Sequence, residues 1–282
     1  MSSLDYRGAA QSELLGTLKR YYGAEADRLP TKAANAPAGG YFLENGMFGP
    51  VDAEIYYGML RYLKPKHVLE VGSGWSTLLA LQALRMNEQD GKPGTVTAVD
   101  PVAPAFVYRQ GAELISQKLQ DVLSVFSQLG PGDVLFADTS HIFVPDHEVD
   151  HVLRAMEKLS AGVFVHFHDI FLPNDYPPQW ADRHYDEQDH LATFLDEHED
   201  WEVVLAAAWL HENDPSLLAA TFKTYERDRE IPPGSFWMVK KEAPPIEGVL
   251  APAADEPHEF KSDRSGRRCL ICGKTVRAKV HV

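Results

Sequence analysis

The stretch "VLEVGSGWST", residues 68–77, reads as an apolar strand, a tight turn on Gly72 and Gly74, and a helix opening on Ser76 and Thr77. Glycine at both turn positions lets the backbone bend sharply and lets a ligand approach without a Cβ in the way. The helix that follows presents unpaired N–H groups and the positive end of its dipole to the same place. Two glycines in a strand-to-helix loop are common, so the shape alone names no ligand. Two neighbours sharpen it. Glu70 stands inside the apolar strand end, a costly place for a carboxylate unless it meets a cation or a hydroxyl. The third glycine of the dinucleotide pattern G-x-G-x-x-G is missing, because position 77 is Thr, which speaks against a nicotinamide dehydrogenase.

Outward from this turn, short apolar runs alternate with helical patterns. "HVLEVG" (67–72), "TVTAVD" (95–100), "DVLFAD" (133–138) and "GVFVHF" (162–167) are candidate strands. "STLLALQALRMN" (76–87), "PAFVYRQG" (104–111) and "HEVDHVLRAMEKL" (147–159) are candidate helices between them. Such alternation predicts a doubly wound, mostly parallel α/β sheet. "DAEIYYGMLRYL" (52–63) predicts a helix that stops at Lys64-Pro65, since proline disfavours helical backbone in the residue before it. "HLATFLDEH" (190–198) predicts another helix, and "WEVVLAAAWL" (201–210) and "GSFWMVKK" (234–241) two more strands. The expected organisation is an N-terminal helical cap over 1–63, a main domain over 64–242, a Pro- and Ala-rich linker over 243–257, and a small tail over 258–282.

A chain of 282 residues has room for one large α/β domain with small additions. Its net charge of −14 argues against nonspecific partners among nucleic acids and anionic membranes. No apolar run approaches the roughly 18–20 residues of a spanning helix. The N-terminus lacks the basic-then-apolar order of a signal peptide. Two cysteines, both in "CLIC", cannot build a disulfide framework, so a cytoplasmic setting is expected. A homo-oligomer stays open as an assembly.

With "VLEVGSG", "TAVD" and "DVLFAD" in this order, the chain resembles class I S-adenosylmethionine-dependent methyltransferases over about residues 40–241. "ENGMFGPVDAEIYYGMLRYLKPKHVLEVGSGWST" and "VHFHDIFLPNDYPPQW" are similar to the small-molecule branch grouped as methyltransferase family 24. The resemblance implies a seven-stranded Rossmann-like sheet, S-adenosylmethionine as cofactor, and a small-molecule acceptor as partner. Glu70 and the loop Gly72, Ser73 and Gly74, with Ser76 and Thr77 behind it, would serve the methionine part of the donor. Asp100, ending the next strand, would accept the ribose hydroxyls. Asp121 would contact the adenine edge, or else cap a helix, and Asp138 would border the donor.

Parallel sheets bind ligands beyond the carboxyl ends of their strands, so Asp138, His168 and Asp169 should meet there. The chain is similar here to metal-dependent catechol O-methyltransferases, where those strand ends hold a divalent metal and a base lies three residues past the first aspartate. Asp138, His168 and Asp169 would then be the metal ligands and His141 the base. Histidine at 168 favours a transition metal such as Mn²⁺, Fe²⁺ or Zn²⁺ over Mg²⁺. Without a metal, His141 or His168 would take the acceptor's proton directly, imidazole being a suitable base near neutral pH. His166, deeper in the strand, reads as a hydrogen-bonded core histidine. Finally, Cys269 and Cys272, with His258 and His281, form a candidate Cys₂His₂ set for structural zinc in a knuckle-like tail. The functional expectation is O-methylation of a small hydroxylated metabolite, such as a sugar, a phenol or a natural-product intermediate. A metal-dependent hydrolase or oxygenase on Asp138, His168 and Asp169, and a noncatalytic nucleotide-binding module, are the alternatives.

Overall fold

In the computed structural model, which describes residues 4–242, the opening strand is β1 (His67–Val71). It lies mid-sheet, buried on both faces, paired in parallel with β2 (Thr95–Val99) on one side and β4 (Val134–Ala137) on the other. Beyond β2 runs β3 (Glu113–Ile115), and beyond β4 runs β5 (Phe164–Phe167), both parallel. The sheet closes with β7 (Phe236–Lys240), antiparallel to β5 and to β6 (Trp201–Ala206), giving the order β3-β2-β1-β4-β5-β7-β6. Seven mostly parallel strands are what the resemblance implied.

Alternate residues of each strand feed two cores. Val68, Val96, Phe136 and Trp237 face α1 (Gly8–Ala26), α2 (Asp52–Leu63) and α3 (Trp75–Gln89). Leu69, Leu135, Val165 and Met238 face α4 (Glu148–Met156) and α5 (Glu187–Glu197). α2 spans the residues its pattern predicts. The Glu54 carboxylate accepts the Val51 N–H at its start, and Lys64 takes a left-handed conformation (φ 50°) before Pro65. Helices α1 and α2 share a core with the sheet, so residues 4–63 pack as part of the same unit.

Three local expectations need correction. Residues 104–111 form no α-helix, only the single 3₁₀ turn Val107–Arg109. Pro104 and Gly111 bound a stretch too short to repay helix nucleation. The strand at 201 ends at Ala206, where its partner β7 begins at Phe236. With no edge left to pair, "AAWLHEN" becomes α6 (Ala207–Asn213), followed by α7 (Pro215–Thr221). Asp121 caps no helix: it ends the 3₁₀ turn Leu119–Asp121, and the next turn starts behind Val122 without a side-chain cap. The linker 243–257 and the candidate zinc ligands His258, Cys269, Cys272 and His281 lie outside the described residues. Among the described residues no helix is long and apolar enough to cross a membrane.

Candidate active site

The strand order reverses direction between β1 and β4, the switch point where an open α/β sheet leaves a crevice. Backbone hydrogen bonds carry the ladder one step past four strand ends. Asp100 N donates to Ile115 O (3.1 Å), Gly72 N to Val99 O, Asp138 N to Val71 O and His168 N to Ala137 O (3.0 Å each). Asp100, Gly72, Asp138 and His168 therefore stand in sequence along one rim. Gly72 has φ +89°, and a Cβ there would lie 2.4 Å from the Asp138 carbonyl oxygen, so only glycine lets these two ends abut.

At the glycine turn, Ser73 Oγ donates to Asp100 Oδ2 (2.6 Å) and Val102 N to Asp100 Oδ1 (2.8 Å). Each carboxylate oxygen keeps a further lone pair for hydroxyls of a ligand. A Cβ on Gly74 would meet no atom within 4 Å, so this edge of the loop is open to a close-fitting group. Glu70, Ser76 and Thr77 sit lower. Glu70 is fully buried, accepting from the Tyr56 hydroxyl (2.9 Å) and from the Thr77 hydroxyl, which in turn accepts the Gly74 N–H. In this arrangement the three residues brace the turn from beneath. The fit to a sulfonium nucleoside rests on the open loop edge and on Asp100. Asp121 is exposed. Removing the carboxylate in Asp100→Ala is expected to weaken donor binding by about 1–3 kcal/mol, the scale of hydrogen bonds to a charged group, measured by calorimetry; unchanged affinity would remove Asp100 from the donor site.

Burial pushes the Glu70 carboxyl up to about 7 against the lowering hydrogen bonds of Thr77 and Tyr56. Unfolded, it ionises near its ordinary value of 4.5. Folding therefore takes up a proton between these limits, and the stabilisation present below the unfolded value is lost as pH rises through the folded one. Glu70→Gln has no such proton to lose. Its stability relative to wild type, without donor, is expected to grow by about 3 kcal/mol from pH 4 to pH 8 in denaturant titrations. A constant difference would mean that Glu70 is ionised in the fold throughout.

At the other end of the rim, four side chains converge. His141 Nε2 lies 3.4 Å from Asp138 Oδ1 and 3.8 Å from Asp169 Oδ2. His168 Nδ1 lies 3.5 Å from Asp138 Oδ1 and 3.6 Å from Asp169 Oδ1, with no hydrogen bond of its own. Among the described residues, the ligand atoms of Asp138, His141 and Asp169 all fall within 4.8 Å of one another, with His168 beside them. One imidazole and two carboxylates suit a divalent transition cation.

Burial opposes charge throughout the cluster, but the opposite charges outweigh it at three positions. His168 and His141 hold the Asp138 carboxyl well below the usual carboxylate range. Asp138 and Glu187 bring His141 up to about 11, and Asp169, Asp138 and Asp52 bring His168 up to about 9. For Asp169 burial wins and raises its carboxyl. Both imidazoles are thus charged near neutral pH when only protein surrounds them.

His168 and Asp169 form one wall of a cavity of about 460 Å³, closed by the segments 43–52, 180–183 and 224–233. Trp180 lines it, with the Arg183 guanidinium stacked 4.4 Å from its ring. Tyr41, Phe48 and Tyr56 are fully buried packing residues, Phe48 supporting the His168 ring at 4.9 Å. His166 is the core histidine expected: no part is exposed, Nε2 meets Ser235 Oγ at 3.1 Å, and the ring stacks on Trp237 at 4.3 Å. Burial keeps it neutral.

Two residues at this site escaped the sequence reading. Glu187 pairs with His141 Nδ1 at 2.7 Å, and Asp52 accepts the Gly234 and Ser235 N–H groups beside His168. Each opens a helix, where an acidic residue reads as ordinary dipole compensation.

Residues 69–170 match a family model described as a methyltransferase domain, that of methyltransferase family 24. A protein of Archaeoglobus fulgidus, described as uncharacterised, is 32% identical over 95 residues, which is 32% of this chain and 42% of that protein. Among solved structures, the O-methyltransferase from Bacillus cereus in complex with SAH overlaps 83% of this chain and 91% of its own, at 12% identity and a TM-score of 0.45. MycE methyltransferase from the mycinamycin biosynthetic pathway, in complex with Mg, SAH and mycinamycin VI, overlaps 70% of this chain and 51% of its own, at 14% identity and a TM-score of 0.39. The match covers the glycine turn, Asp100, Asp138, His141, His168 and Asp169 together, and over residues 69–170 the chain is similar to that methyltransferase domain.

Proposed function

We propose that this chain transfers the methyl group of S-adenosylmethionine to a hydroxyl of a small molecule seated in the cavity beside His168 and Asp169. One observation supports this most. That cavity meets the Asp138–His141–Asp169 cluster, and the cluster borders the glycine turn through the Gly72–Asp138 contact. The donor supplies an already activated methyl on a sulfonium, so the protein's work is alignment and proton removal. Asp100 and the open edge of the loop would hold the nucleoside. Asp169 faces the acceptor, its oxygens standing 3.6 and 3.8 Å from the two imidazoles, beyond hydrogen-bonding distance, and we assign it to receive the hydroxyl proton. Asp138, His141 and Asp169 would hold a divalent cation, which lowers the pKa of a bound hydroxyl. His168 orients the acceptor from the cavity wall. A cytoplasmic site of action fits the cysteine content.

The test is a single-turnover assay with methyl-labelled donor and a panel of sugars, phenols and polyketide alcohols, with Mn²⁺ or with EDTA. Label appearing in a hydroxyl supports the reading. A protein that binds the donor tightly but labels none of these, while labelling an amine or a carboxylate, would overturn the choice of acceptor atom.

A further inference from the structure

We infer that Glu187 is a positioning residue: it fixes the His141 ring so that Nε2 faces the space between Asp138 and Asp169, and thereby sets how tightly that cluster holds a divalent cation. The inference rests on the cation reading of Asp138, His141 and Asp169 given above.

Glu187 opens α5, 46 residues from His141 in sequence, and its side chain is completely buried. Both its oxygens are committed to one short segment. Oε2 accepts His141 Nδ1–H at 2.7 Å, and Oε1 accepts the Thr139 hydroxyl at 2.8 Å. Thr139 Oγ1 in turn accepts the His141 N–H at 3.0 Å. The His141 carbonyl is taken by the N–H groups of Asp186 (3.0 Å) and Glu187 (3.2 Å). His141 itself sits at φ +58°, a left-handed conformation uncommon outside glycine, and ring and backbone are both gripped there. The Tyr185 ring, 4.8 Å away, packs against the imidazole.

The same helical turn reaches the neighbouring loop. Gln188 Oε1 accepts the Phe171 N–H, and Gln188 Nε2 donates to the Asn174 carbonyl, at 3.0 Å each. One turn of α5 thus joins the segment after β4, which carries Asp138 and His141, to the segment after β5, which carries Asp169. A brace of the fold alone would need only the hydrogen bonds to Thr139 and the backbone. A carboxylate on Nδ1 does something further: it commits that nitrogen as donor, leaves Nε2 to face the cluster, and makes Nε2 a stronger ligand. Loss of such a supporting carboxylate typically weakens metal binding 10–100-fold.

The experiment titrates Mn²⁺ by calorimetry into the full chain as wild type, Glu187→Gln and Asp138→Ala, with S-adenosylhomocysteine affinity and melting temperature measured for each. Glu187→Gln keeps the shape of the side chain and can still accept from the ring. It is expected to bind Mn²⁺ about 10–100-fold more weakly and to melt lower through the lost Glu187–His141 charge pair, while S-adenosylhomocysteine affinity stays at the wild-type value. The ¹H–¹⁵N signal of His141 Nδ1, shifted downfield in metal-free wild type, should move upfield in the variant. Wild-type Mn²⁺ affinity in Glu187→Gln overturns the inference. So does a loss of Mn²⁺ affinity that only tracks a fall in S-adenosylhomocysteine affinity, since that is a brace. If wild type binds S-adenosylhomocysteine but no Mn²⁺, the cation reading fails by itself and takes the affinity part of the inference with it.

Discussion

Gly72→Ala is expected to lose at least about 3 kcal/mol of stability and measurable donor binding together. Two costs add. The backbone there has φ +89°, a region that charges an L-residue roughly 1–2 kcal/mol. The new methyl would then lie 2.4 Å from the Asp138 carbonyl oxygen, with backbone rather than a flexible side chain as its obstacle. Relief requires β1 and β4 to part just where Gly72 N, Asp138 N and His168 N extend the ladder. For a domain of this size the loss corresponds to a melting temperature lower by roughly 6–12 °C. Differential scanning fluorimetry and calorimetry with S-adenosylhomocysteine check the two parts. A variant that melts within a degree of wild type and binds normally would show that the two strand ends do not touch.

Asp169→Asn is expected to lower turnover by about 10²–10⁴-fold, the usual worth of a positioned proton acceptor, with donor affinity within about threefold of wild type. The amide keeps the size of the side chain but can neither take a proton nor balance the two imidazoles. Asp169 lines the cavity proposed to seat the acceptor, so donor binding should be spared. Its backbone is fixed, with φ +58° and its Cα so close to Gly234 that a Cβ there would come within 2.9 Å. The substitution therefore reports on the carboxylate and not on a displaced loop. Single-turnover rates near those of wild type would transfer the proton-accepting role to another member of the cluster.

The sheet was legible because buried parallel strands read as apolar runs and their ends as glycine or aspartate, as in "VLEVGSG" and "FAD". β3 was not, since three residues carry no periodic signal. The strand predicted through Leu210 stopped at Ala206 because its length is set by β7 and not by its own composition. At the site, Asp138, His168 and Asp169 could be named from their places beyond strand ends, and His141 from the family resemblance. How His141 comes to stand beside both carboxylates could not be read. That depends on a left-handed backbone at His141 and on Glu187, which arrives from a helix 46 residues away.

The reversed direction of β7 has an outcome for descent and for redesign. Running against its neighbours, it begins at the rim where they finish, so the chain just before it (224–233) becomes a wall of the cavity beside His168 and Asp169. Beside His168 and Asp169, the other walls come from 43–52 and 180–183, and these three segments fall outside the span matched by the family model, 69–170. Most of the cavity lining is thereby written in passages of the polypeptide separate from the glycine turn and Asp138. On the proposed reading, exchanging those three passages should change which acceptor is taken while the donor side is kept.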